Sequence, residues 1–303
     1  MTTLQPASPH RFRRDTLLQR RAVDRIATVL LWTAAIGVLV LLAFFIGYIV
    51  YLGAGAISWH FLTAPPNEAK AGGGIGPEIY NSFYILILTL VFTTPIALAG
   101  GIFLQEYARP GPFTTAVQFC AESLSTIPSI VLGLFGMILF VNVLGWKFTA
   151  LGGALTLTIL NLPALMRMTQ EALTVVPESY REASMALGAT KWQTIRRVVL
   201  PSAIASLTTG IVLISGRILG ETAALIFTAG TSVSVGRSAY DLSPFHTAET
   251  LSVHLWYTHS ESLIPDAAKV GNGSALVLLA MVLIFNLSAR FIGRALSKRF
   301  TAA

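Results

Sequence analysis

The sequence predicts an all-α integral membrane protein with six transmembrane helices, and three observations carry that expectation. Of 303 residues, 54% are hydrophobic and 12% charged, with a mean hydropathy of +0.68; a soluble globule could not cover so much apolar surface. Six segments, at about 26–52, 79–104, 123–146, 148–166, 202–228 and 270–289, are long and uncharged enough to cross the hydrocarbon layer. The basic residues segregate as well. With both ends inside, sixteen of the twenty-one Lys and Arg fall on the cytoplasmic side, Lys70, Lys147, Arg237 and Lys269 fall outside, and Arg217 lies within a span.

Taken in order, residues 1–25 form a basic tail in which Arg11, Arg13, Arg14, Arg20, Arg21 and Arg25 precede the first apolar run. That run is too long for a signal peptide and shows no small-residue cleavage pattern, so the tail is expected to stay ahead of the first span. Residues 26–74 comprise the first span and an external loop, turn-rich at Pro65, Pro66 and GGGIGPE. The second span ends inside at Gln105-Glu106-Tyr107. The third opens on Ser123, Ser125, Thr126, Pro128 and Ser129, where the proline predicts a kink and the hydroxyls are candidates to line a path. In the fourth, Asn161 and Pro163 precede Arg167, so its inner half is expected to be broken or packed against protein.

Between the fourth and fifth spans lies a polar island at 177–201, PESYREASMALGATKWQTIRRVVLP, with six charges. Pro177 suits the first turn of a helix and Gly188 the left-handed residue that ends one. Thr190 with Gln193 reads as a capping box that opens a second helix. Neither piece can span the bilayer, and Arg181, Lys191, Arg196 and Arg197 favour the inner surface.

The fifth span carries Arg217 and Glu221. Charges at such depth usually face protein or water, and a spacing of four predicts one helix face and an ion pair. Gly216 and Gly220 predict a close helix–helix seam beside them. Two roles are open for the pair: a strut locking two helices, or a site where the guanidinium fork meets an oxyanion. The outer loop at 229–269 holds His246, Glu249, His254, His259 and Glu261, read as surface residues and not as a metal site, because no tight ligand spacing is present. Cys120 stands alone and gives neither disulfide nor metal site. The net charge of +7 does not line one soluble face, so no nucleic-acid partner is expected.

Several of these stretches resemble one family. Glu182, Ala183, Ser184, Gly188 and the Leu200-Pro201 ending look like the EAA loop of ABC importer permeases, the coupling helix that seats in a groove of the ATP-binding subunit. RILGETAALIFTA resembles the R-x-x-GETAPL motif of phosphate-importer permeases of the PstA type, and LPALMRMTQEAL and IPSIVLGLFG are similar to that subfamily too. The resemblance covers about 75–290, the expected transmembrane domain, with 291–303 a second cytoplasmic tail. It implies a type I (MetI-like) importer fold and pathway roles for Arg167 and Arg217. It further implies a PstC-type second permease, a PstB-type ATP-binding dimer, and a periplasmic or lipid-anchored PstS-type phosphate-binding protein, in a bacterial inner membrane. Ala224 departs from the motif's proline, and the outer loop diverges. Phosphonate, sulfate and molybdate remain alternative substrates. No G-x-x-x-x-G-K-[ST] occurs, so ATP hydrolysis is expected on a partner chain, with no cofactor here. A membrane-embedded enzyme built on Arg217, Glu221 and the loop histidines would lack a nucleophile and base at recognisable spacing.

Overall fold

In hydrocarbon a backbone must satisfy its own hydrogen bonds, so the long apolar runs become helices. The computed structural model describes residues 14–67, 70–232 and 240–301, with side chains placed for all of these except 14–20, 22, 292 and 294–301. Arg11, Arg13 and Arg237 lie outside the described residues.

The long helices are α1 (Arg14–Gly53), α3 (Gly76–Ile102), α6 (Ala150–Thr174), α9 (Leu200–Gly220) and α12 (Ala267–Thr301). Between them come the short α2 (Trp59–Thr63), α4 (Pro112–Thr126), α5 (Ser129–Gly136), α7 (Glu178–Ala186), α8 (Lys191–Thr194), α10 (Ala223–Ile226) and α11 (Leu251–Ser260). Among the described residues five helices are long and apolar enough to cross a membrane singly, and a sixth crossing results if one bent pair is counted as a span. The chain divides into two units at Tyr51 and Leu52. Up to Tyr51, α1 exposes nearly every side chain, apolar ones such as Leu31, Trp32 and Phe44 included.

The core of the second unit is built on α3 against α6, with α5, α9, α10, α11 and α12 around them. Small and hydroxylated residues let these helices meet. Thr93 and Thr158 bond each other across α3 and α6 at 3.2 Å, while Thr156, Thr158 and Thr169 donate to the carbonyls one turn back. These four hydroxyls are thereby satisfied within the protein. At the seam of α5 and α10, a Cβ on Gly133 would stand 2.7 Å from the Ala224 Cα.

The structure sharpens two of the expected features and corrects a third. The third span is not one rod over 123–146. Ile127, just before Pro128, is extended, as the proline ring demands, and α4 and the helix over Ser129–Val143 meet at 100°. The fourth is unbroken: α6 runs through Pro163, with Asn161 fully buried and its Nδ2 donating to the Leu157 carbonyl at 2.8 Å, so the inner half is packed rather than split. The fifth does not run over 202–228. It starts at Lys191 and ends at Gly220, where Glu221 turns extended.

Helix propensity would favour Gly133→Ala by up to about 1 kcal/mol, but the clash with the α10 backbone costs about 1–3 kcal/mol. Gly133→Ala is therefore expected to lower the melting temperature of the detergent-solubilised chain. Gly37→Ala, whose Cβ would meet nothing within 4 Å, should leave it unchanged or raise it.

Candidate functional site

The polar island folds as its caps predict. Pro177 stands one residue earlier than expected, as the N-cap of α7. At the other end Gly188 adopts φ +87°, its N–H donates to Met185 O at 2.9 Å, and Ala189 N donates to Ser184 O at 3.3 Å, the paired bonds of a Schellman ending. Thr190 Oγ1 accepts from Gln193 N at 3.3 Å while Gln193 Oε1 accepts from Thr190 N at 2.9 Å, completing the capping box. The Ser184 and Thr194 hydroxyls, 3.0 Å apart, pin α7 to α8, which is why a small hydroxylated residue suits position 184.

One residue holds this loop to the bundle. Arg181 is buried, its guanidinium paired with Glu106 Oε1 at 2.9 Å and Glu178 Oε2 at 3.3 Å, and it donates to the Val176 and Leu173 carbonyls at 2.7 and 2.9 Å. The planar fork thus joins the segment that follows α3 to the end of α6, where the Leu173 and Val176 carbonyls accept from it. Lys191 adds a cation–π contact, 5.1 Å above the Tyr107 ring. Sequence reasoning missed this anchor: Arg181 counted there only as one cytoplasmic charge.

The outward face carries Tyr180, Glu182, Ala183, Met185, Leu187 and Trp192, with Leu187 91% exposed. Leu200 and Pro201 do not belong to that face. They are half-buried, Leu200 against Leu173, Val176, Val199 and Ala203. Pro201 cannot accept a regular turn before it, and Ile195–Val199 widens into a π-helix. The result is one continuous rod from Lys191 to Gly220, joining the loop to the membrane helix.

On that rod Ser202, Ser206, Thr209, Leu213, Arg217 and Gly220 are exposed and recur every three or four residues, a single stripe of one helix face. Arg217 and Glu221 do not pair: α9 stops at Gly220, so the helical register that would align them ends first. Among the described residues Arg217 has no carboxylate within ion-pair distance. Glu221 instead accepts from Ala224 N at 3.5 Å through Oε1, and its carbonyl accepts from Ser252 Oγ at 2.8 Å. The glycine seam is half realised. Asn286 of α12 lies 3.2 Å from where a Cβ on Gly216 would be, while Gly220 meets nothing. Arg167 lies apart from both, ion-paired to Glu171 at 3.3 Å on a cavity of about 450 Å³ between α4 and α6 that Gln118, Glu122 and Ser125 also line.

The outer loop corrects a further expectation. His259 and Glu261 are exposed and His246 is half-buried, but His254 and Glu249 are buried, because α11 packs against α3 and α12.

The architecture is a helical bundle with a capped two-helix loop anchored to one end of it by a buried arginine. The chain belongs to the binding-protein-dependent transport system inner membrane component family, whose pattern it matches over residues 97–302. It is thus the permease subunit of an ABC importer, a class that works with an ATP-binding subunit and a substrate-binding protein. It is 42% identical over 293 residues, 94% of this chain and 100% of the other, to the "Probable ABC transporter permease protein YqgI" of Bacillus subtilis (strain 168). It is 36% identical to the "Phosphate transport system permease protein PstA" of Xylella fastidiosa (strain Temecula1), over 76% of this chain and 77% of that one. The crystal structure of a bacterial alginate ABC transporter shares the fold, with a TM-score of 0.65 at 16% identity over 93% of this chain and 98% of its own.

Removing Arg181 strands the buried Glu106 carboxylate, a loss of about 3–5 kcal/mol for a broken buried pair. Arg181→Ala should therefore melt earlier and expose 177–190 to protease. Arg181→Met combined with Glu106→Gln, which strands no charge, should recover much of the melting temperature.

Proposed function

We propose that the chain is the PstA-type half of a phosphate importer. In this reading it lies in a bacterial inner membrane with both termini cytoplasmic. It pairs with a PstC-type permease, is driven by a PstB-type ATP-binding dimer docked on 177–201, and is fed by a PstS-type phosphate-binding protein. ATP binds the partner and not this chain.

The observation that carries the reading is the polar stripe of α9. A guanidinium exposed within a membrane helix costs about 2.5–3.5 kcal/mol against lipid, and the hydroxyls of Ser202, Ser206 and Thr209 on the same face favour water over lipid. Such a stripe suits the wall of an aqueous path, with Arg217 the group that meets a phosphate oxygen pair. The likeness to named phosphate permeases supports phosphate as the substrate. Ala224, where the PstA-type motif has proline, does not weaken this. It lies buried at the α5–α10 seam, off the stripe, as the second residue of a short helix, where its N–H donates to Glu221 Oε1 at 3.5 Å, a bond that proline would forgo.

The coupling route follows from the two attachments of the loop. Closure of the ATP-binding dimer pulls on the exposed face of α7. Arg181 passes the displacement to α3, and the Lys191–Gly220 rod carries it to Arg217. Glu182 and Ala183 contact the ATPase, Ser184 and Gly188 set the angle between the two helices, and Leu200 and Pro201 seat the rod. Arg167, at the inner cavity beside Glu171, is the second pathway arginine, and Glu221 fixes the break beyond Arg217.

Arg217→Lys replaces a fork by a point charge and forfeits a charge-assisted hydrogen bond of about 1.5–3 kcal/mol. Phosphate uptake by the reconstituted complex in vesicles should fall roughly 10- to 100-fold at unchanged complex yield. Normal uptake by a well-assembled variant removes the pathway role, and ATP-driven uptake of sulfate or phosphonate instead of phosphate shifts the substrate. Gly188→Val strains the left-handed turn by at least about 1–2 kcal/mol, with open space around the new side chain. Its expected signature is ATP hydrolysis that continues while uptake drops.

A further inference from the structure

Far from the coupling loop, at the opposite end of α3, three ionisable side chains converge inside the protein. Glu78 stands in the first turn of α3, about 42 Å along the helix from Glu106, and is wholly buried. Glu249 and His254 come from the start of α11 and are buried too. One donor atom from each lies within 4.8 Å of the other two. His254 Nδ1 is 3.3 Å from Glu249 Oε1 and 3.6 Å from Glu78 Oε1.

Among the described residues neither oxygen of Glu78 has a hydrogen-bond partner. A buried carboxylate without donors loses its hydration with nothing in return, and a second carboxylate beside it adds repulsion. The geometry points to a compensating ion: we propose that Glu78, Glu249 and His254 bind a divalent transition-metal cation of the Zn²⁺ type, clamping α11 to the start of α3.

The separations suit that ion. Bonds of about 2.1 Å in a tetrahedral shell place ligands about 3.4 Å apart, the spacing found from Nδ1 to each carboxylate. Two carboxylates with a neutral imidazole carry two negative charges, which a divalent ion cancels, and an O₂N donor set favours a borderline transition ion over Ca²⁺ or Mg²⁺. The shell behind the ligands is in place. Thr258 Oγ1 is 3.3 Å from His254 Nε2, so the hydroxyl can accept from Nε2–H and leave Nδ1 as the lone-pair donor. Asn81 Nδ2 donates to the Glu249 carbonyl at 3.1 Å, and Ser82 Oγ both donates to the Glu78 carbonyl and accepts from Leu251 N at 2.8 Å. These bonds fix the two ligand-bearing backbones against each other before any ion arrives. A cavity of about 200 Å³, lined by His254, Tyr257, Thr258 and the exposed Glu261 among others, gives an approach to the imidazole.

The test uses the full chain without a histidine tag, in detergent, with Cys120→Ser as background so that the exposed thiol cannot capture zinc. After chelator treatment, equilibrium dialysis against Zn²⁺ should load one ion per chain, X-ray absorption should show an N/O shell with one imidazole, and the melting temperature should rise with zinc. Glu78→Gln and His254→Gln should each abolish both the loading and the zinc-dependent rise. Thr258→Val, which keeps all three ligands, should weaken binding roughly 10- to 100-fold. The proposal is overturned by an absence of zinc uptake in the stripped background chain, which needs no variant to fold. It is equally overturned by zinc uptake that Glu78→Gln and Thr258→Val leave unaltered.

Discussion

The contact on which the rest of the protein depends is Arg181 with Glu106. Without it α7, nine residues long, would be held only through its ends and the Ser184–Thr194 contact, and it is too short to be stable alone. A force applied to the outward face of α7 would bend the loop rather than move the bundle. With it, the guanidinium is held by two carboxylates and two main-chain carbonyls at once. The inner ends of α3, α6 and α7 become one rigid corner. Burial of such a pair gains little net stability, but its cost of disruption makes the corner hard to open, which is what a lever needs.

A lever also needs a stiff arm. A proline at 201 would normally mark the border between an interfacial helix and a membrane helix, since its ring opposes a regular preceding turn. Here the π turn over Ile195–Val199 absorbs that conflict, so no hinge intervenes between the capping box at Thr190 and the stripe that holds Arg217. The arm ends where Gly220 gives way to extended Glu221.

What could be read in the sequence followed the range of the forces involved. Caps and turns act over three or four residues, so Gly188, Thr190 and Gln193 were legible, as was the break at Pro128. Hydropathy is a sum over a window, so the first two spans were legible to within four residues, whereas the fifth begins at Lys191 and ends at Gly220 instead of running over 202–228. Pro128 marked the third span's kink but not its 100° size, and α6 passes Pro163 with Asn161 and its neighbours buried in protein. Contacts between distant segments left no local trace. Glu106 is 75 residues from Arg181, and His254 meets Glu78 from the far side of the chain, which is why the outer histidines read as surface. The family resemblance placed Arg167 and Arg217 in a motif without saying what surrounds them.

Arg217 and Glu221 show how a spacing rule can mislead at a helix end. A pair four residues apart joins only if the helix includes both, and here it includes one. The consequence reaches the chemistry: an arginine neutralised by its neighbour would present little field to a passing anion, whereas an exposed guanidinium in the last turn of α9 keeps its charge available. It also sits where the helix dipole stabilises a cation, which offsets part of the cost of holding it in the membrane without occupying its donors. Glu221, freed from that pairing, caps the short helix beyond the break, and its carbonyl is held by Ser252 of α11. The helix α11 therefore touches the break directly, and in the proposed reading that contact links α11 to Arg217 just as Arg181 links the loop over 177–201 to the bundle.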